Sequence, residues 1–164
     1  MASGFGHRSS GDPGEKEYQM PGITVGVDGS DNSYRALEWA MKEAALRQVG
    51  LKVLAVHEVA ANQWTAHPMI MPEDEVITEQ ARSWTEEAIS KVRGQLGSTQ
   101  PASISVQAMS GFAAEELVKA SHDSDLVVLS TRGSGRFSRL SVGGVADKVI
   151  HHATCPVVAV PTAK

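Results

Sequence analysis

The segment Asp125–Val160, which reads DLVVLSTRGSGRFSRLSVGGVADKVIHHATCPVVAV, constrains the fold of this chain more than any other. An apolar strand leads into a loop rich in glycine, serine and arginine, Ser130–Val142, which ends at a helix opened by Gly143 and Gly144. In α/β proteins such a loop binds anions, because unpaired backbone N–H groups and the positive end of the helix dipole face it. The loop also carries three arginines, Arg132, Arg136 and Arg139. The segment therefore predicts a phosphate-binding loop.

Strands and helices alternate along the rest of the chain. The predicted strands are Ile23–Val27, Leu51–His57, Ser103–Met109, Leu126–Leu129 and Pro156–Val160. Helical periodicity follows the first strand as far as Gly50 and then covers Glu73–Leu96, Phe112–Ser121 and Gly144–His152. This alternation predicts an α/β fold, with a doubly wound, mostly or wholly parallel five-stranded sheet and helices on both faces (Rossmann-like, strand order 3-2-1-4-5).

The predicted topology brings two polar features together. In a doubly wound sheet the ligand crevice opens beyond the carboxyl ends of the strands, where the strand order reverses. The first and fourth strands are neighbours at that point; Asp28 follows the first, and the loop Ser130–Val142 follows the fourth. The pair predicts a binding crevice. Taken alone, Asp28-Gly29-Ser30 is better explained as an ordinary turn whose side chains cap the next helix, but its place at the crevice favours a role in binding.

Charge and cysteine content exclude several classes of protein. The 164 residues include 15 basic and 19 acidic side chains, and this net charge of −4 argues against a dedicated nucleic-acid binder. The single cysteine, Cys155, excludes an intrachain disulfide and suits a reducing cytoplasm. No apolar stretch approaches a membrane span, so we expect a cytoplasmic protein without a membrane partner.

Residues 1–19 are predicted to be a disordered tail, natural or left by cloning, and residues 20–162 are predicted to form the domain.

Four segments together resemble the universal stress protein family. They are VGVDGS at Val25–Ser30, VLAVHE at Val53–Glu58, GFAAEELVKAS at Gly111–Ser121, and the C-terminal segment quoted above. The resemblance covers roughly residues 20–161. The ATP-binding branch of the family carries the pattern G-x2-G-x9-G-[ST], which this chain keeps in spacing as Ser130-x2-Gly133-x9-Gly143-Gly144.

The two departures from that pattern predict weakened rather than abolished nucleotide binding. Ser130 replaces the first glycine, and its side chain can crowd the approach of the nucleotide to the backbone. Gly144 replaces the closing serine or threonine, which removes a hydrogen bond to phosphate worth on the order of 1.5–3 kcal/mol.

The resemblance implies an adenine nucleotide, ATP or AMP, with or without magnesium, and assigns it a set of contacts. Asp28 and the backbone of Gly26 and Val27 would lie beside the adenosine. His57 and Glu58 would border the adenine, Leu129, Ser130, Thr131 and Arg132 would line the ribose, and Gly133, Gly143, Gly144 and Val145 would surround the phosphates. No residue is assigned to catalysis or to a protein-bound metal.

Three functions remain open at the level of sequence. The first is a stress-response regulator that binds the nucleotide and passes its occupancy to an unknown protein partner or to its own homodimer, which the family resemblance places on the edge strand Cys155–Val160. The second is a dimeric interaction protein that works without nucleotide, which Ser130 and Gly144 favour. The third, a slow ATPase, ranks lowest, because the sequence offers no activated nucleophile near the phosphates.

Overall fold

Five strands and four helices alternate along the part of the chain that the structure describes. A computed structural model describes residues 22–57, 74–132 and 143–162. The elements are β1 (Gly22–Val27), α1 (Asp31–Arg47), β2 (Gly50–His57), α2 (Asp74–Leu96), β3 (Ser103–Ser110), α3 (Ala113–Ser121), β4 (Ser124–Ser130), α4 (Gly144–His152) and β5 (Val157–Val160). Each predicted element is present, and the bounds differ from the predicted ones by no more than a few residues.

The strands form one parallel sheet in the order β3-β2-β1-β4-β5, which confirms the predicted α/β fold and strand order. The order reverses between β1 and β4, which pair directly with Ile23 beside Leu126 and Val25 beside Val128. Because parallel strands end at the same edge of a sheet, the residues that follow Val27 and Ser130 leave the sheet side by side.

Each face of the sheet is covered by two helices. On one face, Ile23, Val25 and Val27 of β1 belong to a buried apolar cluster with residues of α1 and α2. On the other face, Leu54 of β2 and Leu129 of β4 belong to a second cluster with residues of α3 and α4. Successive side chains of a strand point to opposite faces, so this alternation fixes the face to which each residue near the crevice belongs.

A buried hydroxyl pair ties together the two strands that flank the crevice. The Thr24 Oγ1 and Ser124 Oγ atoms are 2.7 Å apart, and the Ser124 hydroxyl donates to the Ala120 carbonyl oxygen at 2.7 Å. A serine hydroxyl has a single proton, so the Thr24 hydroxyl must be the donor to Ser124. Both polar side chains are therefore satisfied in a buried position between β1, β4 and α3.

The predicted disordered tail over residues 1–19 lies outside the described ranges. Among the helices that the structure describes, none combines the length and the apolar character needed to cross a membrane.

Candidate functional site

The turn after β1 links Asp28 to Ser30, the residue that caps α1. Asp28 Oδ1 accepts hydrogen bonds from the Ser30 backbone N–H at 3.0 Å and from the Ser30 hydroxyl at 2.6 Å. Ser30 is the N-cap of α1, and its Oγ accepts from the Ser33 N–H at 3.2 Å. The turn that the sequence analysis gave as an alternative is therefore present. Asp28 lies at the edge of the predicted crevice, and its Oδ1 atom accepts hydrogen bonds within the turn.

Gly26 lies where α3 packs against β1. A Cβ atom at this position would lie 2.9 Å from Leu117 Cδ1 and 3.1 Å from Cδ2. Leu117 belongs to α3 and is 3% exposed, so it has little room to withdraw. The sequence predicted that the backbone of Gly26 and Val27 borders a ligand, but it gave no sign that α3 packs directly on this glycine.

Backbone hydrogen bonds close the two described ends of the β4–α4 loop against each other. The Gly143 N–H donates to the Thr131 carbonyl oxygen at 2.8 Å, and the Thr131 N–H donates to the Val160 carbonyl oxygen at 2.9 Å. We call Thr131 and Gly143 the loop neck. A Cβ on Gly143 would lie 3.3 Å from the same Thr131 oxygen, so glycine suits this close approach. The sequence placed both residues near a ligand but did not reveal that they are bonded to each other.

The N-terminus of α4 has the features of an anion site. Gly143 is the N-cap, and as a glycine it has no side chain with which to cap the helix by a hydrogen bond. The first N–H groups of a helix have no partner within the helix, and the helix dipole places partial positive charge there. Space is open around Gly144, where an added Cβ would meet no atom within 4 Å. Val145 follows in the first turn of α4.

His57 ends β2 with an imidazole that has no hydrogen-bond partner within the part of the chain that the structure describes. Its Nδ1 and Nε2 atoms are shielded from solvent, and among the described residues neither has a partner. The alternation of β2 places the side chain on the same face as Val53 and Ala55, toward α1 and α2. The backbone carbonyl oxygen of His57 accepts a hydrogen bond from the Gly111 N–H at 3.1 Å, and this bond holds the end of β2. A buried imidazole without a partner is unusual, because burying a polar group without a hydrogen bond is unfavourable.

Several predicted contacts lie outside the described residues. They are Glu58, Gly133, Arg136 and Arg139. Of the loop arginines only Arg132 is described, beside Thr131 at the start of the β4–α4 loop. The Leu129 side chain is buried in the apolar cluster beneath α3 and α4 and packs in the core. Its backbone continues into Ser130, the last residue of β4.

A cavity of about 290 Å³ lies beside the turn after β1, between α1 and α2. Its lining residues are Gly29, Ser30, Asp31, Tyr34, Trp84, Glu87, Ala88 and Lys91. The Lys91 ammonium lies 5.1 Å from the centroid of the Tyr34 ring, a cation–π contact across the cavity wall. The cavity shares Ser30 with the predicted crevice but contains no residue of the α4 N-terminus, and the sequence assigned it no role.

Cys155, which precedes β5, is held as a protonated thiol. Burial raises the pKa of the Cys155 thiol, and the nearby Asp125 carboxylate raises it further. A raised pKa lowers the fraction of reactive thiolate at neutral pH. Cys155 therefore does not have the lowered pKa that an activated cysteine nucleophile requires.

The fold and the sequence match known proteins over nearly the whole domain. The model of the universal stress protein family matches residues 21–161. A universal stress protein of Mycolicibacterium smegmatis is 32% identical over 139 residues, which cover 85% of this chain and 47% of that protein. The chain thus spans about half the length of the curated relatives it matches.

Solved structures show the same architecture. A universal stress protein crystallised with cAMP superimposes with a TM-score of 0.64 at 22% identity, over 87% of this chain and 98% of that one. The universal stress protein of Archaeoglobus fulgidus in complex with dAMP gives a TM-score of 0.58 at 25% identity, over 86% of this chain and 98% of that one. The family match over residues 21–161 establishes that this chain belongs to the universal stress protein family, and the solved structures share its fold.

Proposed function

We propose that this protein is a stress-response regulator that binds an adenine nucleotide, ATP or AMP, between the carboxyl ends of β1 and β4. The observation that carries the proposal is the α4 N-terminus, where glycine occupies both the N-cap and the first helical position, so that neither residue covers the N–H groups with a side chain. Such a helix end favours phosphate, since phosphate supplies acceptors for N–H groups and negative charge for the dipole. The loop neck holds this helix end beside Thr131 and Arg132, at the end of β4.

The adenosine half of the ligand is assigned to the ends of β1 and β2. Asp28 stands beside the ribose and base, and the unpartnered imidazole of His57 borders the adenine. A purine ring has both hydrogen-bond donors and acceptors on its edges and can supply the partner that His57 lacks among the described residues. The cAMP and dAMP complexes of the two similar proteins support this ligand class. Glu58 and Gly133 complete the proposed contacts, and magnesium would accompany ATP at the phosphates.

Small-molecule analysis of the purified protein tests the proposal. Mass spectrometry of the supernatant after acid denaturation is expected to recover ATP or AMP in a near-stoichiometric amount. If weak binding allows the nucleotide to dissociate during purification, a calorimetric titration of the protein with ATP is expected to show binding with a one-to-one stoichiometry. A protein that is isolated empty and gives no binding heat with ATP, AMP or their magnesium complexes contradicts the proposal and favours the nucleotide-independent alternative.

We also propose that the protein forms a homodimer through its last strand. β5 lies at an edge of the sheet, and no described strand pairs with its outer side. Pro156 and Val160 direct their carbonyl oxygens to β4, where they accept from the N–H groups of Val127 and Thr131. Adjacent residues of a strand point their backbone groups to opposite sides, so Val157 and Ala159 present theirs to the free edge. Pairing with a second copy would cover this apolar edge, which otherwise favours aggregation.

A proline at Ala159 is expected to convert the dimer into a monomer. The substitution removes an N–H group that faces the free edge, whereas the hydrogen bonds between β4 and β5 remain. The matched control is Val158→Pro, which removes an N–H group that faces β4 and is expected to lower the melting temperature instead. Sedimentation velocity gives the mass of each variant. If Ala159→Pro remains dimeric, pairing through this edge is wrong.

A further inference from the structure

Ser130, the last residue of β4, has a side chain that bonds to its own loop. Its hydroxyl donates to the Arg132 carbonyl oxygen at 2.7 Å. Such a bond from a serine to the backbone two residues ahead stabilises a turn in place of regular structure. The side chain that the sequence comparison suggests as an obstacle is therefore folded against the loop backbone.

With the Ser130 bond, hydrogen bonds hold three consecutive residues, Ser130, Thr131 and Arg132. The Ser130 hydroxyl holds the Arg132 carbonyl, the Thr131 N–H is bonded to Val160, and the Thr131 carbonyl is bonded to Gly143. The backbone between β4 and Arg132 is thus held by hydrogen bonds to the Ser130 side chain, to Val160 of β5 and to Gly143 at the start of α4. A glycine at position 130 would keep the two Thr131 bonds but would lose the third and add backbone freedom.

We infer that Ser130 is a positioning residue, which holds Thr131 and Arg132 in the arrangement that receives the nucleotide. The inference rests on the proposed function, because it concerns the same site. A binding segment that is ordered before the ligand arrives loses less conformational entropy on binding, and its affinity is correspondingly higher. Ser130 then contributes to affinity, in contrast to the expectation from the sequence that it weakens binding.

Three substitutions at position 130 test the inference, with ATP affinity measured by calorimetry. Ser130→Ala removes the hydroxyl at nearly constant volume and is expected to weaken binding about three- to tenfold. Ser130→Gly is expected to weaken it at least as much, because it also adds backbone freedom. Ser130→Thr keeps the hydroxyl and is expected to bind within about twofold of the unaltered protein. Melting temperatures, measured alongside, show that each variant is folded.

The outcomes separate this inference from the proposal on which it rests. Failure of the unaltered protein to bind ATP overturns both. If the unaltered protein binds and Ser130→Ala binds equally well, only the positioning role is overturned. Tighter binding by Ser130→Gly also overturns it and shows that serine is an obstacle. Weakening in Ser130→Ala that Ser130→Thr fails to restore shows that the hydroxyl is not the responsible group.

Discussion

Replacement of Gly144 by aspartate is expected to lower the affinity for ATP about 100-fold while the protein stays folded. Gly144 is the first residue of α4, and an added Cβ would meet no atom within 4 Å. The substitution therefore creates no clash. It places a carboxylate among the N–H groups that we propose to bind phosphate, where it occupies the donors and repels the ligand.

The size of this effect follows from electrostatics at a partly screened site. Two unit charges about 4 Å apart interact by roughly 4 kcal/mol at an effective dielectric constant near 20. Gly144 is exposed, so solvent screening reduces the interaction. If a repulsion of about 2.7 kcal/mol between the carboxylate and the phosphates remains after screening, the affinity falls about 100-fold. The same carboxylate interacts favourably with the helix dipole, so the melting temperature is expected to stay constant or rise slightly.

Two matched variants separate charge from shape at position 144. Gly144→Asn has the size of aspartate without its charge and is expected to lose about tenfold or less in affinity. Gly144→Ser introduces the hydroxyl that the ATP-binding branch of the family carries, and it is expected to bind ATP at least tenfold more tightly, within the about 1.5–3 kcal/mol of a hydrogen bond to a charged group. Equal affinities for the aspartate and asparagine variants, measured by calorimetric titration, would show that the phosphates lie elsewhere.

The fold was predictable from sequence because its signals are local. A strand of alternating burial and a helix of three- and four-residue spacing each need only their own residues to be recognised. The helix end at Gly143 and Gly144 was visible for the same reason. The pairing of β1 with β4 followed from general rules of parallel sheets, and the structure confirms it.

The contacts that shape the candidate site depend on residues far apart in the chain, and the sequence does not display them. The bond of Thr131 to Val160 joins residues of adjacent strands, and the bond of Thr131 to Gly143 spans a loop. The orientation of the Ser130 hydroxyl is set by the local path of the backbone, so the substitution of serine for glycine could be read only as a loss. The sequence likewise does not show that the His57 ring nitrogens are shielded from solvent and have no partner among the described residues, because this depends on how the helices and strands pack.

The second large effect is expected at Gly26, where α3 rests on β1. Gly26→Ala is expected to reduce the free energy of unfolding by about 1–3 kcal/mol, because its Cβ would lie 2.9 Å from Leu117 Cδ1 in a filled core. Leu117→Ala is expected to reduce it by about 2–5 kcal/mol through the cavity that it leaves. In the double variant the new methyl group enters that cavity. Urea denaturation should then show that Gly26→Ala is neutral or stabilising when Leu117 is already alanine.

This coupling decides why position 26 is glycine. If the reason is packing against Leu117, the two substitutions are strongly non-additive and the double variant binds ATP within about threefold of the unaltered protein. If the reason is close approach of the ligand to the backbone, Gly26→Ala changes the free energy of unfolding by the same amount whether residue 117 is leucine or alanine, and the double variant is folded but does not bind ATP. The 2.9 Å separation from a leucine that is 3% exposed favours packing, because a close-packed core leaves a buried side chain little space into which it can shift.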